Sequence, residues 1–157
     1  MKSLVLYFLI LGLGIGWFLA IAVPSWIFHV EGKPSFLCCA IEYGFSSICH
    51  QIPERSFWIW GHPLAVCARC TGIYAGFLLA ILLFPFLKRS VFRMSSSTIL
   101  ILAFLPSVCE FSSAHGGILV SNNFIRFLVG IPLGIGLGWL FLTGVFENKT
   151  KRKRQCQ

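Results

Sequence analysis

The chain has 157 residues, of which 57% are hydrophobic and 11% are charged, and its mean hydropathy is +0.83. This composition excludes an ordinary soluble domain and predicts one membrane-embedded domain. The net charge is +8, but the basic residues are grouped beside hydrophobic runs, which favours topology signals over a nucleic-acid surface. There is no Asp, which disfavours a carboxylate cage for magnesium or calcium. We expect the lipid bilayer as a partner and no nucleic acid.

Four hydrophobic runs approach or exceed the roughly 20 residues that a helix needs to cross a bilayer. The predicted spans cover residues 4–28, 64–87, 98–114 and 124–146. The fold class is therefore an all-α membrane protein, with four transmembrane helices in a compact bundle. Residues 1–148 form this single domain, and residues 149–157 form a basic cytoplasmic tail that we expect to be disordered. The predicted location is the cell (inner) membrane, as a multi-pass protein.

The longest polar-tolerant segment lies between the first two predicted spans, at residues 29–62. Within it, apolar residues from Ser35 to His50 loosely follow helical spacing, which predicts a short helix on the membrane surface. Trp58 and Trp60 are typical of a membrane interface. We expect this segment to be an external loop.

Basic residues indicate the orientation. Nine of the 13 Lys and Arg residues fall on one side of the four predicted spans: Lys2, Lys88, Arg89, Arg93, Lys149, Lys151, Arg152, Lys153 and Arg154. That side is expected to be cytoplasmic, together with both termini.

Three predicted helices carry glycines four residues apart, namely Gly12 with Gly16, Gly72 with Gly76, and Gly130 with Gly134 and Gly138. Small residues at this spacing let helix backbones approach closely in lipid. The pattern favours close packing within one chain or between copies in a homo-oligomer.

The chemistry-bearing residues are concentrated between Cys49 and Gly76. Cys67 and Cys70 form a Cys-x-x-Cys at the expected start of a helix, where the helix dipole favours the thiolate, as does Arg69 between them. The predicted metal ligands are Cys49, His50, Cys67 and Cys70, with His62 as an alternative to His50, because sulfur and nitrogen donors suit zinc and other transition metals.

Two charged residues fall inside predicted spans, Glu110 and Arg126. Charges in the bilayer are costly, so we expect both to face the bundle interior and to pair with each other. They are candidate catalytic residues together with Glu54 and Arg55 of the loop. Candidate cofactor-binding residues are Arg69, His115 and Asn123.

These motifs resemble those of an uncharacterised family of prokaryotic integral membrane proteins, a domain of unknown function. The resemblance rests on Cys-His-Gln at 49–51, Glu-Arg-Ser-Phe at 54–57, Val-Cys-Ala-Arg-Cys-Thr-Gly-x-Tyr-x-Gly at 66–76, and a later pattern matched by Glu110, Asn123, Arg126 and Gly130. It covers residues 45–140. The chain has Glu110-Phe111 where the family usually has Asp-Gly, and the resemblance implies membership without a settled activity.

The leading functional hypothesis is an outward-facing Cys/His site that binds a transition metal, with zinc first and iron or copper behind. The main alternative is a membrane thiol-disulfide oxidoreductase that uses a quinone, because oxidising compartments favour disulfides. The layout resembles that of the quinone-linked disulfide-generating enzymes and the vitamin K epoxide reductases in architecture alone. A further alternative is a small transporter or assembly factor in which Glu110 and Arg126 face the substrate. The sequence leaves open whether the protein is an enzyme.

Overall fold

The computed structural model describes residues 2–87, 95–115 and 122–155. These residues form six helices, a short 3-10 turn and one two-stranded hairpin. In chain order they are α1 (Lys2–Ala20), α2 (Val23–Glu31), α3 (Phe36–Ser46), the 3-10 turn (Pro53–Arg55), β1 (Ser56–Ile59), β2 (His62–Cys67), α4 (Ala68–Leu87), α5 (Ser96–His115) and α6 (Asn123–Gln155). The predicted mostly helical membrane fold is confirmed at this level.

The first predicted span is broken rather than continuous. α1 and α2 are bent by 45° at residues 21–22, and Pro24 lies in the first turn of α2, where a proline needs no backbone donor. The break frees backbone carbonyls, and the carbonyl of Ile21 accepts a hydrogen bond from the backbone N–H of Ala65 (3.2 Å). The Ser25 hydroxyl adds a bond to the carbonyl of Pro63 (2.7 Å). β2 is thereby fixed against the bend.

α4 and α6 run parallel and form the closest helix pair. A Cβ atom at Gly72 or Gly76 would collide with the carbonyl oxygen of Phe127 or Ile131, and one at Gly134 would collide with that of Ile73. These glycines therefore bring the two backbones together, as their spacing predicts. Gly12 and Gly16 of α1 have no heavy atom within 4 Å of an added Cβ. Their use in a homo-oligomer stays a prediction.

The other long helices pack on this pair. The Tyr7 hydroxyl of α1 donates to the carbonyl of Ile81 in α4 (3.0 Å). The Ser107 hydroxyl of α5 donates to the carbonyl of Val129 in α6 (3.4 Å), and α5 runs antiparallel to α6. The starts of α4 and α6 consequently lie at one end of the bundle, and Lys2 and the end of α6 lie at the other.

The second predicted span begins four residues later than expected. Residues 64–67 belong to β2, and helix α4 starts at Ala68. β1 and β2 are antiparallel, with Ile59 opposite His62 and a register irregularity between Ser56 and Trp58. Trp60 and Gly61 both have positive φ, 54° and 80°, the backbone of a tight hairpin turn in which glycine is favoured. The expected surface helix at 35–50 is present but shorter, as α3.

Two described helical segments are long and apolar enough to cross a membrane, Ala68–Phe86 and Asn123–Phe146, and the bent pair α1–α2 is a third candidate if it counts as one span. The apolar part of α5, Ser97–Ser113, is shorter, so the described residues hold two or three candidate spans where the sequence predicts four. The predicted tail is helical as far as Gln155 rather than disordered. Lys88, Arg89 and Arg93 lie outside the described residues.

Candidate metal or thiol site

Three cysteines from separate parts of the motif meet beneath α3 and the hairpin. Their Sγ atoms all lie within 4.8 Å of one another. Cys67 is central, because its Sγ is 3.4 Å from the Sγ of Cys49 and 3.4 Å from that of Cys70. All three are free thiols. The described residues hold one such group of at least three potential ligands, and it contains thiols alone.

The join between β2 and α4 places two of these thiols. Cys67 is the last residue of the strand, and α4 begins at the next residue, so Cys67 occupies the position before the first helical turn and Cys70 lies within that turn. The first backbone N–H groups of a helix lack intrahelical acceptors and carry partial positive charge. The start of α4 therefore places the two thiols of the Cys-x-x-Cys beside these N–H groups.

Cys49 comes from the chain segment after α3 and is buried, at 5% exposed. The backbone N–H of Cys67 donates to its Sγ over 3.2 Å. Hydrogen bonds from the thiols of Cys67 and Cys70 hold the pKa of Cys49 well below its usual range, and the backbone N–H groups of Cys67 and Gln51 act in the same direction, although burial opposes them. These donors stabilise the Cys49 thiolate.

Neither predicted histidine ligand is part of the thiol group. His50 is exposed, although it follows Cys49 directly. The ring of His62 stacks on that of Phe28 with 5.1 Å between the ring centroids, so this histidine joins the hairpin to α2. Of the five predicted ligands, the structure brings together Cys49, Cys67 and Cys70.

The predicted partner of Glu110 was wrong. Glu110 forms an ion pair with Arg69 of the Cys-x-x-Cys turn instead of with Arg126. The Glu110 side chain is 7% exposed and that of Arg69 is 33% exposed. The Nε atom of Arg69 is buried and has no hydrogen-bond partner among the described residues. The ion pair therefore connects α5 to the turn that carries two of the thiols.

Arg126 and Asn123 organise the start of α6. The guanidinium of Arg126 donates to the Asn123 side-chain oxygen (3.2 Å). The Asn123 amide donates to the carbonyls of Glu54 (3.3 Å) and Ser56 (3.0 Å). Asn123 therefore holds the 3-10 turn and β1 against α6.

The remaining candidate residues lie away from the thiols or outside the described side chains. Glu54 and Arg55 are exposed in the 3-10 turn, and Glu54 contributes its backbone carbonyl to Asn123. The side chain of His115 is outside the described part of the chain. The catalytic role of these two loop residues stays a prediction.

An apolar cavity of about 350 Å³ lies between α1, α4 and α6. Trp17 and Tyr74 are among its lining residues, and the centroids of their rings are 6.2 Å apart. Tyr74 and Cys70 both pack against the buried cluster that contains Cys49. The cavity therefore approaches the thiol site from the membrane-embedded part of the bundle.

Sequence reasoning missed two groups that shape the site. Gln51 links α3 to β2 through its side chain, and its signal was its place in the Cys-His-Gln motif. The hairpin that carries Cys67 was also missed. Its signal was Gly61 after the strand-forming residues Phe57, Trp58 and Ile59.

Fold and site together define a helical membrane protein with a cluster of three thiols at one end of its bundle. The chain belongs to the family described as "Predicted membrane protein (DUF2085)", which matches residues 49–140. The matched segment begins at Cys49 and includes all three thiols. The resemblance seen in the motifs is confirmed at the level of the family.

Two relatives are described as uncharacterised proteins. A protein of Methanocaldococcus jannaschii is 36% identical over 118 residues, which is 74% of this chain and 76% of the relative. A protein of Methanothermobacter thermautotrophicus is 38% identical over 96 residues, which is 61% of this chain and 86% of the relative. No solved structure matches the chain.

Proposed function

We propose that this membrane protein binds a transition-metal ion through the thiolates of Cys49, Cys67 and Cys70, with zinc as the first candidate and iron or copper behind it. The observation that carries the proposal is the convergence of three free Sγ atoms within 4.8 Å. Zn–S bonds of about 2.3 Å in tetrahedral geometry place sulfur atoms about 3.8 Å apart. The two Sγ–Sγ distances of 3.4 Å need little adjustment to reach that value.

The donor set also supports a soft or borderline metal. Thiolate ligands select zinc, copper(I) and iron–sulfur centres over magnesium or calcium. Three protein ligands leave a fourth position of a tetrahedral site for a non-protein ligand, as in catalytic zinc sites. Such an ion would supply a Lewis acid at that position. The chain itself holds the three thiolates that would bind the ion. The packing of Phe45 and Leu64 excludes water from the site, and backbone N–H donors orient Cys49.

The metal content of detergent-purified protein tests the proposal. We expect one bound metal per chain in the wild-type protein and its loss in Cys49→Ser, Cys67→Ser and Cys70→Ser. Cys39→Ser is the matched control, because Cys39 is exposed in α3 and lies outside the thiol group. Equal metal content in all four variants would contradict the proposal.

The second candidate is a membrane thiol-disulfide oxidoreductase. It is favoured by Cys67, which lies 3.4 Å from a thiol on either side, close enough for disulfide exchange, and by the lowered pKa of Cys49. In this function two thiols lose two protons and two electrons as one S–S bond forms. A lipid-soluble quinone takes up the two protons and the two electrons and becomes the quinol. The cavity lined by Tyr74, one helical turn after Cys70, is the position for such an acceptor.

Thiol counting separates the two candidates. Protein purified under native conditions, without reductant, is alkylated, reduced and mapped by mass spectrometry. A metal-free protein in which two of the three cysteines become available only after reduction supports the redox function. Three thiols that are released by a chelator without reductant support the metal site.

We further propose that the thiol site faces away from the cytoplasm, in the inner membrane of the cell, with the bundle crossing the bilayer more than once. The support is the separation between the thiols and the basic ends of the chain. Lys2 begins α1 and the basic residues 149–154 end α6, both at the end of the bundle opposite the thiols. Positive residues of membrane proteins are retained in the cytoplasm.

A further inference from the structure

Gln51, two residues after Cys49, has a backbone conformation that its residue type does not favour. Its φ is +50°, in the left-handed region that glycine, asparagine and aspartate occupy more readily than other residues. Non-glycine residues persist there when their surroundings hold them, and such positions are concentrated at functional sites. The contacts of its side chain show what holds Gln51.

The side-chain amide nitrogen of Gln51 makes two hydrogen bonds to different elements. It donates to the carbonyl of Glu42 in α3 (2.8 Å) and to the carbonyl of Ala65 in β2 (2.9 Å). Both amide protons are therefore used. A single side chain joins the helix that precedes Cys49 to the strand that ends at Cys67.

This connection spans the two halves of the thiol group. Cys49 follows α3, whereas Cys67 and Cys70 belong to the β2–α4 join. The Cys49 backbone is bonded on its own side, to the carbonyl of Phe45 (2.9 Å). Across the halves, the backbone N–H of Cys67 bonds to the Cys49 Sγ (3.2 Å), and Gln51 provides the neighbouring side-chain link.

We propose that Gln51 is a positioning residue of the thiol site, whose amide clamps α3 to β2 and so holds the Cys49 Sγ against those of Cys67 and Cys70. The inference rests on the proposed metal site for its main test. Groups that orient metal ligands without touching the metal typically contribute 10- to 100-fold to metal affinity. Gln51 is not itself a ligand.

Gln51→Gly removes the side chain and leaves the backbone conformation unstrained, because glycine adopts a φ of +50° readily. We expect its affinity for Co²⁺, used as the probe metal and measured by competition with a chelator, to fall roughly 10- to 100-fold. Its sulfur-to-cobalt charge-transfer band at saturation should be weaker than that of the wild type, because Cys49 is held less well against the metal. Gln51→Glu, which replaces the donor with an acceptor facing two carbonyls, should lose at least as much. Ser47→Ala is the control, because the Ser47 hydroxyl is exposed and bonds to the carbonyl of Gly44 at the end of α3.

A second measurement works on metal-free protein and does not depend on the proposed function. A bifunctional thiol reagent that bridges neighbouring sulfurs should cross-link Cys49 to Cys67 more slowly in Gln51→Gly than in the wild type, because the two sulfurs are no longer held together by the amide. Unchanged cross-linking and unchanged cobalt affinity in Gln51→Gly would overturn the inference. If the wild-type protein binds no cobalt, the metal proposal fails, and the cross-linking rates still decide the role of Gln51.

Discussion

Cys38 and Cys39 are adjacent in α3 but have opposite environments. Cys38 is fully buried and its Sγ lies 3.8 Å from a carboxylate oxygen of Glu42, whereas Cys39 is exposed. Burial, and then the negative charge of Glu42, raise the pKa of Cys38 to about 11. Because the thiolate is the reactive form, these neighbours should respond differently to pH.

We predict that iodoacetamide modifies Cys39 but not Cys38 in folded protein at pH 8, and that Cys38 reacts only as the pH approaches 11 or after denaturation. Peptide mapping by mass spectrometry gives both rates from one sample. The pKa of Cys38 is higher in the folded than in the unfolded protein, so its contribution to stability is complete below pH 9 and is lost between pH 9 and 11. Equal rates for both cysteines at pH 8 would contradict the assignment.

His50 provides a separate test of the ligand set. The thiol group contains no histidine, so His50→Ala and His62→Ala should retain metal, with an affinity within about threefold of the wild type, below the tenfold effect of losing an orienting group. Competition with a chelator measures both values, and Cys67→Ser is the positive control for loss. A tenfold or greater loss in His50→Ala alone would show that this histidine turns inward to complete a four-ligand site.

Among the elements, α5 is joined to α4 by the ion pair between Glu110 and Arg69. Glu110 is buried in a helix in which several large apolar side chains, such as Ile101 and Phe111, are more than half exposed. Glu110→Gln removes the charge that compensates Arg69. We expect a loss of about 2 kcal/mol in the free energy of unfolding, less than the 3–5 kcal/mol of a fully buried pair because Arg69 is a third exposed.

Thermal unfolding in detergent measures this change. Arg126→Gln is the matched control, since Arg126 bonds to Asn123 within its own helix turn, and its effect should be below about 1 kcal/mol, the ordinary net value of one hydrogen bond. A larger loss of stability in Arg126→Gln than in Glu110→Gln would contradict this and support the pairing of Glu110 with Arg126 predicted from the sequence.

The glycines of α4 and α6 give the second prediction at this scale. An alanine at Gly76 or Gly134 directs its Cβ into a backbone carbonyl, which cannot move aside as a flexible side chain can. We expect each variant to lose at least the roughly 1–3 kcal/mol typical of overpacking, or to fail to fold. Gly12→Ala and Gly16→Ala have open space and should unfold within a few degrees of the wild type. Loss of stability in Gly16→Ala would instead indicate packing of α1 against another chain.

Local pattern determined which parts of this architecture the sequence could predict. The glycine spacing predicted the α4–α6 contact, and the helix start at the Cys-x-x-Cys predicted two thiols together. The hairpin was missed because residues 63–66 are equally typical of the start of an apolar helix. The predicted partner of Glu110 was wrong because the choice between Arg69 and Arg126 depends on how α5 packs against two parallel helices. That placement has no local signal.

At the scale of the molecule, the parallel α4–α6 pair brings two helix starts to one end of the bundle. One start carries Cys67 and Cys70, and the other carries Asn123, which binds the 3-10 turn and the first residue of β1. α3 and the hairpin cover this end, and Gln51 links them. α3 and the hairpin, which lie largely in the segment predicted to be a loop, therefore form a packed cover over the thiols.

The direction in which this cover faces is the last prediction. The bundle has its thiols at one end and the basic start of α1 and end of α6 at the other, and retention of positive charge in the cytoplasm puts the cover outside. A membrane-impermeant maleimide should modify Cys39 in intact cells, because Cys39 is exposed on the cover. It should modify Cys156, which follows the basic tail in the sequence, only after the membrane is permeabilised. Peptide mapping compares both sites in one preparation, and modification of Cys156 without Cys39 in intact cells would reverse the orientation.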